Sequence, residues 1–235
     1  MKHDLFYTSN LFQTINAHRL DAEYYQPQYK KLREIIRNYS GGYNKLTDIA
    51  ICSKEIIDPR ANPERDFEYI ELADINHTIG VIENAKLIKG KDAPSRARML
   101  LQSGDIIASS VEGSLEKVAS VSEEYDGAIG STGFFVLRPQ NVSNGYLLTL
   151  VKSIIVRDQM HCEASETILA AVPASSLKNI IVPNLRLETQ DRISSLVNQS
   201  HAARREAKML LEKAKRAVEI AIEHSEQQAI DFLNE

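Results

Sequence analysis

The last ninety residues of the chain contain no glycine: all ten glycines lie between Gly41 and Gly145. From about residue 186 to 233 there is no proline either, and Ala, Leu, Glu, Lys and Arg dominate. A stretch without helix breakers and rich in helix formers predicts one long helix. Ile193, Leu196, Ala203, Ala207, Leu210, Ala214, Ala217 and Ala221 recur with alternating spacings of three and four, as a coiled-coil seam does. Leu211, Val218, Ile222, Ala229 and Leu233 widen the stripe. Such a helix spans roughly 60–70 Å, more than the domain before it can cover. Its many alanines imply close approach of another helix: the first helix of the chain, a second copy, or both.

The rest of the chain is turn-rich. A polar leader precedes "RLDAEYYQPQYKKLREIIRNYSGG", where Tyr25, Tyr29, Leu32, Ile35, Ile36 and Tyr39 recur at helical spacing and Gly41-Gly42 end the run. This predicts a helix from about Pro27 to Tyr39. Between about 43 and 183, "FEYIELADI", "GVIENAKLI", "GDIIASS", "EKVASVS", "GFFVLRP" and "NIIVP" read as short strands of a mostly antiparallel β core. One amphipathic helix, about Gly145 to Met160 with Asn144 as its cap, interrupts them. The fold class is therefore α+β, with an N-terminal helix and a long C-terminal helix of coiled-coil type.

Composition narrows the function. Hydrophobic residues at 43% and charged residues at 26% are ordinary for a globular chain of 235 residues. Cys52 and Cys162, far apart and outside any CxxC, supply neither a disulfide framework nor a thiolate zinc site. The start lacks a signal peptide's apolar core, and no apolar run approaches the ~18 residues of a membrane span. A soluble cytoplasmic protein is expected.

No catalytic motif appears. The phosphate loop GxxxxGK[ST], HExxH and the GxSxG elbow are all missing, and His3, His18, His77, His161, His201 and His224 are scattered. Gly127 to Gly133, "GAIGSTG", precedes a strand rather than a helix, so it lacks the context of a dinucleotide-binding loop. It reads as a β-turn connection, or as a loop approaching a nucleic-acid backbone. Asp105 has no acidic or histidine neighbour nearby in sequence. Neither catalytic residues nor metal ligands are expected.

The polar loops suggest binding instead. The β region carries 14 Lys and Arg against 19 Asp and Glu, but its cations are clustered. Lys86, Lys89, Lys91, Arg96 and Arg98, opposed in sequence only by Asp92, give about +4 locally on a segment, "KGKDAPSRAR", expected to protrude. "SKEIIDPRANPERDF" offers Lys54, Arg60, Asn62 and Arg65, and arginine and asparagine are side chains that read base edges. Ser109, Ser110, Ser114, Lys117, Ser131 and Thr132 add short donors suited to phosphate oxygens, with Gly113 letting its loop pass close. The same loops also fit a protein-binding surface.

Taken in order, "RLDAEYYQPQYKKL", "YIELADINHTIGVI", "ARMLLQSGDIIASSVEGSLEKVASV", "GAIGSTGFFVLRP" and "LKNIIVPNLRLETQDRISSLV" resemble a target-recognition unit of the DNA-specificity subunits of type I restriction–modification systems. The resemblance covers about residues 19 to 220. It implies three parts: a leader and helix at 1–43, a DNA-binding target-recognition domain at 44–183, and a spacer helix at 184–235. It also implies a subunit without chemistry of its own. Such a subunit places methyltransferase subunits, and in larger complexes an ATP-dependent restriction subunit, on double-stranded DNA. S-adenosylmethionine and ATP would belong to those partners, and no cofactor is expected here.

Family subunits usually hold two recognition domains joined by antiparallel spacer helices, whereas no second copy of "RLDAEYY" or "GDIIASS" occurs here. A homodimer pairing two such helices is the economical expectation, with a two-fold symmetric bipartite site. Pairing with a different half-subunit would satisfy the same helix. The competing reading is a protein–protein adaptor without a DNA role.

Overall fold

The computed structural model describes residues 22–164 and 171–234. The leader, His3, His18 and the first residues of "RLDAEYY" lie outside the described residues. A 3-10 turn, Ala22–Tyr25, precedes helix α1, Pro27–Arg37, which begins on Pro27 as a first-turn proline allows. Strand β1 (Tyr43–Lys45) leads through the single turn α2 (Leu46–Ile49) into β2 (Ala50–Cys52). The strands β3 (Asp66–Ile70), β4 (Ile75–Asn76), β5 (Val81–Ile82), β6 (Lys86–Lys89) and β7 (Ala97–Leu100) follow. Next come β8 (Ile106–Ser109), β9 (Val118–Ser120), β10 (Ile129–Ser131) and β11 (Phe134–Pro139). Helices α3 (Asn144–Lys152) and α4 (Ile154–Glu163), strand β12 (Ile181–Pro183), and helices α5 (Leu187–Glu223) and α6 (Glu226–Asn234) complete the chain.

Among the described residues the strands form a six-stranded sheet in the order β2-β11-β8-β9-β5-β4, a four-stranded sheet β6-β3-β10-β7, and the pair β1-β12. Pairings are antiparallel except β10 with β3 and β5 with β9. The larger sheet is buried on both faces. Ile106, Ala108, Phe135 and Leu137 point into a core built with α3, α4 and the exit segment. Their neighbours Ile107, Phe134 and Val136 point the other way, against Ile70, Leu101 and Ala128 of the region around the smaller sheet. Strand side chains alternate between faces, so a strand buried on both reads as a continuous apolar run. That is why "GDIIASS" and "GFFVLRP" were legible as strands. The smaller sheet's other face holds a third cluster of Phe67, Tyr69, Ala93, Ala97 and Ile129.

Three expectations are corrected. The helix predicted over Gly145 to Met160 is two helices, because the chain takes an extended conformation at Ser153 (ψ 154°). Ser143, not Asn144, occupies the cap position of α3; the Asn144 side chain accepts the Gly145 amide instead, at 2.8 Å. The long helix is not continuous to 233. It ends at Glu223, after 37 residues or roughly 55 Å, and α6 folds back along it. Lys213 Nζ donates to the Leu233 carbonyl at 3.1 Å and lies over the Phe232 ring, while Ala217 and Ala229 are buried. The stripe around Ala217 is thus covered by the chain's own tail, while Val218 and Ile222 stay exposed. Helix α1 packs on α4 and β12 rather than along α5. No helix among the described residues is long and apolar enough to cross a membrane.

Asp105, which stood isolated in the sequence, is 1% exposed and structural. Its carboxylate accepts Arg138 Nε at 3.0 Å and Nη2 at 3.3 Å, plus the Gln102 amide at 3.0 Å. Glu55, from the segment after β2, takes the outer edge of the same guanidinium, and together the two carboxylates hold the Arg138 pKa above its ordinary value. Removing one partner of a buried pair strands the other's charge. Arg138→Met is therefore expected to lower unfolding free energy by about 3 kcal/mol in urea titrations, and Glu55→Gln by less than about 1 kcal/mol.

Candidate nucleic-acid interface

The smaller sheet and the segment 53–65 carry most of the cationic candidates. Asp58 accepts the Arg60 amide at 3.2 Å and shapes the 3-10 turn Pro59–Ala61. The Arg60 guanidinium then reaches across to the Ala93 carbonyl, through Nε at 3.2 Å and Nη2 at 2.9 Å. Backbone bonds from Gly90 to Arg65 (2.9 Å) and from Lys91 to Pro63 (3.0 Å) join the two loops into one surface. Gly90 is needed there: a Cβ would sit 2.2 Å from the Asn62 carbonyl oxygen and 2.3 Å from that of Pro59. The segment "KGKDAPSRAR" is therefore not a protruding loop. Its ends are strands β6 and β7, and Gly90, Ala93 and Ala97 are buried.

The local charge also differs from the sequence expectation. Lys86 pairs with Glu71, Lys89 with Asp66 at 3.4 Å, Lys91 with Glu64 at 3.1 Å, and Arg98 with Asp58. In sequence only Asp92 lies among these cations; β3, the loop before it and Glu71 just after it bring the other carboxylates. Arg65 lies over the Phe67 ring, 4.9 Å from its centroid. Lys54, Arg60, Arg65 and Arg96 form no ion pair among the described residues, and all four are exposed, as is Asn62. The Arg96 carbonyl accepts the Thr132 amide at 2.8 Å, bringing exposed Thr132 to the same surface.

The serines behave differently. Ser109 is fully buried and Ser131 is 5% exposed. Ser109 Oγ lies 2.8 Å from Ser114 Oγ and accepts the Val111 amide at 3.0 Å; Ser110 Oγ donates to the Gly133 carbonyl at 3.0 Å. Ser131 Oγ accepts the Gly133 amide at 3.2 Å, and Lys117 Nζ donates to the Ile75 carbonyl at 3.2 Å. These bonds close the loop on itself, and Ser109 and Ser131 are buried away from any ligand, whereas Ser110, Ser114 and Lys117 remain half-exposed. A Cβ on Gly113 would meet nothing within 4 Å, so no packing within the chain requires that glycine. "GAIGSTG" is strand β10, paired on both sides, followed by a tight turn.

Sequence reading missed two features. Ile56 and Leu87, beside the two edges of the smaller sheet, are each 71% exposed. In addition, α5 presents His201, Arg204, Arg205 and Lys208 to a cleft of about 580 Å³ against Asn84, Ser122 and Tyr125. Arg204 pairs with Glu83, and the His201 ring lies 3.3 Å from the Ile79 carbonyl. The run "HAARREAK" was the available signal, read only for its alanines. Among the described residues no group of histidines, cysteines and carboxylates is placed to hold a metal.

No protein-family model and no curated protein matches the chain. Solved structures do. The chain is 31% identical over 76% of its length, with a TM-score of 0.60, to a chain from a structure of complex assembly and conformational transition of the type I R-M system. It is 30% identical over 78% of its length, with a TM-score of 0.61, to the HsdS subunit from Thermoanaerobacter tengcongensis. These matches cover 46% and 47% of the other chains, so this chain spans about half their length. In class it is a mixed α/β domain continued by a long C-terminal helix. More particularly, it resembles the specificity subunits of type I restriction–modification systems in both fold and sequence, as its motifs implied.

The serine knot yields a separate test. Ser109→Ala leaves the Val111 amide without its acceptor and is expected to lower stability by about 1–2 kcal/mol in chemical denaturation. Native-state affinity for any polyanion should remain unchanged.

Proposed function

We propose that this chain is a sequence-specific DNA-binding specificity subunit of a type I restriction–modification complex. It reads half of a bipartite site and positions methyltransferase subunits, and in larger complexes a restriction subunit. The 30–31% identity across three-quarters of the chain to type I R-M proteins carries this reading. In it the chain performs no chemistry and needs no cofactor; S-adenosylmethionine and ATP belong to the partner subunits. The division into leader and helix (1–43), recognition domain (44–183) and spacer helix (184–235) is part of the same proposal, as is a cytoplasmic location.

In this reading the exposed Lys54, Arg60, Arg65 and Arg96, with Asn62 and Thr132, meet the DNA; their exposure and lack of ion-pair partners among the described residues support it. The ion-paired Lys89, Lys91 and Arg98 remain usable. Exposed pairs contribute at most about 1 kcal/mol each, so a phosphate can replace a carboxylate partner at small cost. The stripe left exposed on α5 supports a homodimer. Two copies related by a two-fold axis present two identical domains, and the preferred site is then a bipartite palindrome.

The adaptor reading is favoured by one observation, the neutralisation of the basic cluster by Glu64, Asp66, Asp58 and Glu71. Salt dependence separates the two. Specific duplex binding should weaken steeply with salt, and Arg60→Gln/Arg65→Gln/Arg96→Gln should reduce the slope of log K against log salt by roughly 3 per domain. An affinity for duplex DNA that is flat with salt and unchanged in the triple variant would favour the adaptor.

A further inference from the structure

A second cationic surface lies away from the smaller sheet. Arg37 in the last turn of α1, Lys45 at the end of β1 and Lys178 in the 3-10 turn Ala174–Asn179 converge on a recess of about 290 Å³. Arg33, one turn earlier on α1, and Asn179 form part of its wall. Both are tied to Glu163: Arg33 Nη2 donates to its Oε1 at 3.2 Å, and Asn179 Nδ2 to its Oε2 at 3.0 Å. Glu163 is 3% exposed, so its charge is matched by Arg33 beneath the surface. Among the described residues no carboxylate lines the recess, and the exposed Arg37, Lys45 and Lys178 form no ion pair.

The contrast with the smaller sheet is sharp, because there Lys86, Lys89, Lys91 and Arg98 each face a carboxylate. Three like charges around one recess repel each other, and an anion seated between them relieves that repulsion. Position decides which anion. Helix α1 packs on α4 and β12, and β12 joins the core on the α3–α4 side of the larger sheet. The smaller sheet packs against the opposite side. A duplex lying on the smaller sheet therefore stays away from the recess. A recess of this size also admits protruding side chains, whereas a duplex presents its phosphates along a continuous convex wall.

We propose that the recess docks an acidic segment of a partner protein, whose Asp and Glu side chains pair with Arg37, Lys45 and Lys178. Strand β12 runs directly into α5, so a protein seated here stands beside the root of the long helix. The inference does not need the DNA reading, since a specificity subunit and an adaptor alike must hold a protein partner.

Fluorescence anisotropy on the full chain at low salt tests it, with labelled oligoglutamate and, separately, a labelled random-sequence duplex. Arg37→Gln/Lys45→Gln/Lys178→Gln removes the exposed cations and leaves the Arg33–Glu163 pair intact, and thermal unfolding checks that the variant is folded. Oligoglutamate affinity should fall about ten-fold in this variant, the loss expected when three exposed ion pairs go together. It should stay unchanged in Arg60→Gln/Arg65→Gln/Arg96→Gln, and duplex affinity should stay unchanged in the recess variant. Oligoglutamate that does not bind the native chain, or binds it and the recess variant equally, overturns the proposal. A recess variant that loses more affinity for the duplex than for oligoglutamate makes the recess a nucleic-acid surface and overturns it as well. The DNA reading is judged separately, by duplex affinity in the smaller-sheet variant.

Discussion

The long helix leaves the domain where it does because Gly145 has no side chain. A Cβ on Gly145 would lie 3.1 Å from the Ser194 Cα, closer than ordinary contact. The absence of that atom lets α3 and α5 cross backbone to backbone. Ser143 and Ser194 share a hydroxyl hydrogen bond at the crossing, and Gln190 Nε2 donates to the Leu185 carbonyl at 2.8 Å one turn earlier. A helix of 37 residues magnifies any tilt at its base, so this contact sets where the exposed stripe points. Through the stripe, it also sets where a second domain would stand.

Behind that crossing lies a rigid frame. The β8–β11 pair buries both faces and is pinned at its end by the Asp105–Arg138 pair, so loops on the smaller sheet are held by a core that cannot shift locally. The candidate interface combines firm backbone with weakly committed charges. Gly90, Arg60 and Ala93 hold two loops together, while the surface ion pairs above them exchange partners at little cost. An overall acidic chain can therefore present a phosphate-compatible surface without a large bare positive field. Helix α6 covers the Ala217 part of α5, which the domain cannot reach, and leaves Leu196, Leu210, Val218 and Ile222 exposed.

Much of this was legible because the signals were local and repeated. Two-faced burial produced the apolar runs of β8 and β11, and the 3-4 alternation marked α5 from Ile193 to Ala221. The break at His224 was not legible, because "IEHSEQQ" contains neither proline nor glycine; the reversal comes from packing Ala229 and Phe232 back on the helix. Strands β7 and β10 were hidden by charge and glycine, residues that suit loops unless a neighbouring strand pairs with them. The site was only half legible. Residue type put forward Arg60, Arg65 and Arg96, which are exposed, but the carboxylates facing Lys89 and Lys91 come from β3 and its preceding loop, some twenty-five residues earlier, and only strand register brings them together. The burial of Ser109 and Ser131 was not legible, since a buried hydroxyl and a phosphate-binding hydroxyl are the same residue in sequence.

The most direct test of a symmetric half-subunit reading DNA is selection of duplexes bound by the purified chain from a randomised pool, at moderate salt. The account predicts an enriched motif of two inverted, identical half-sites at one fixed spacing. Enrichment of a single unpaired half-site, or no enrichment over the starting pool, would contradict it.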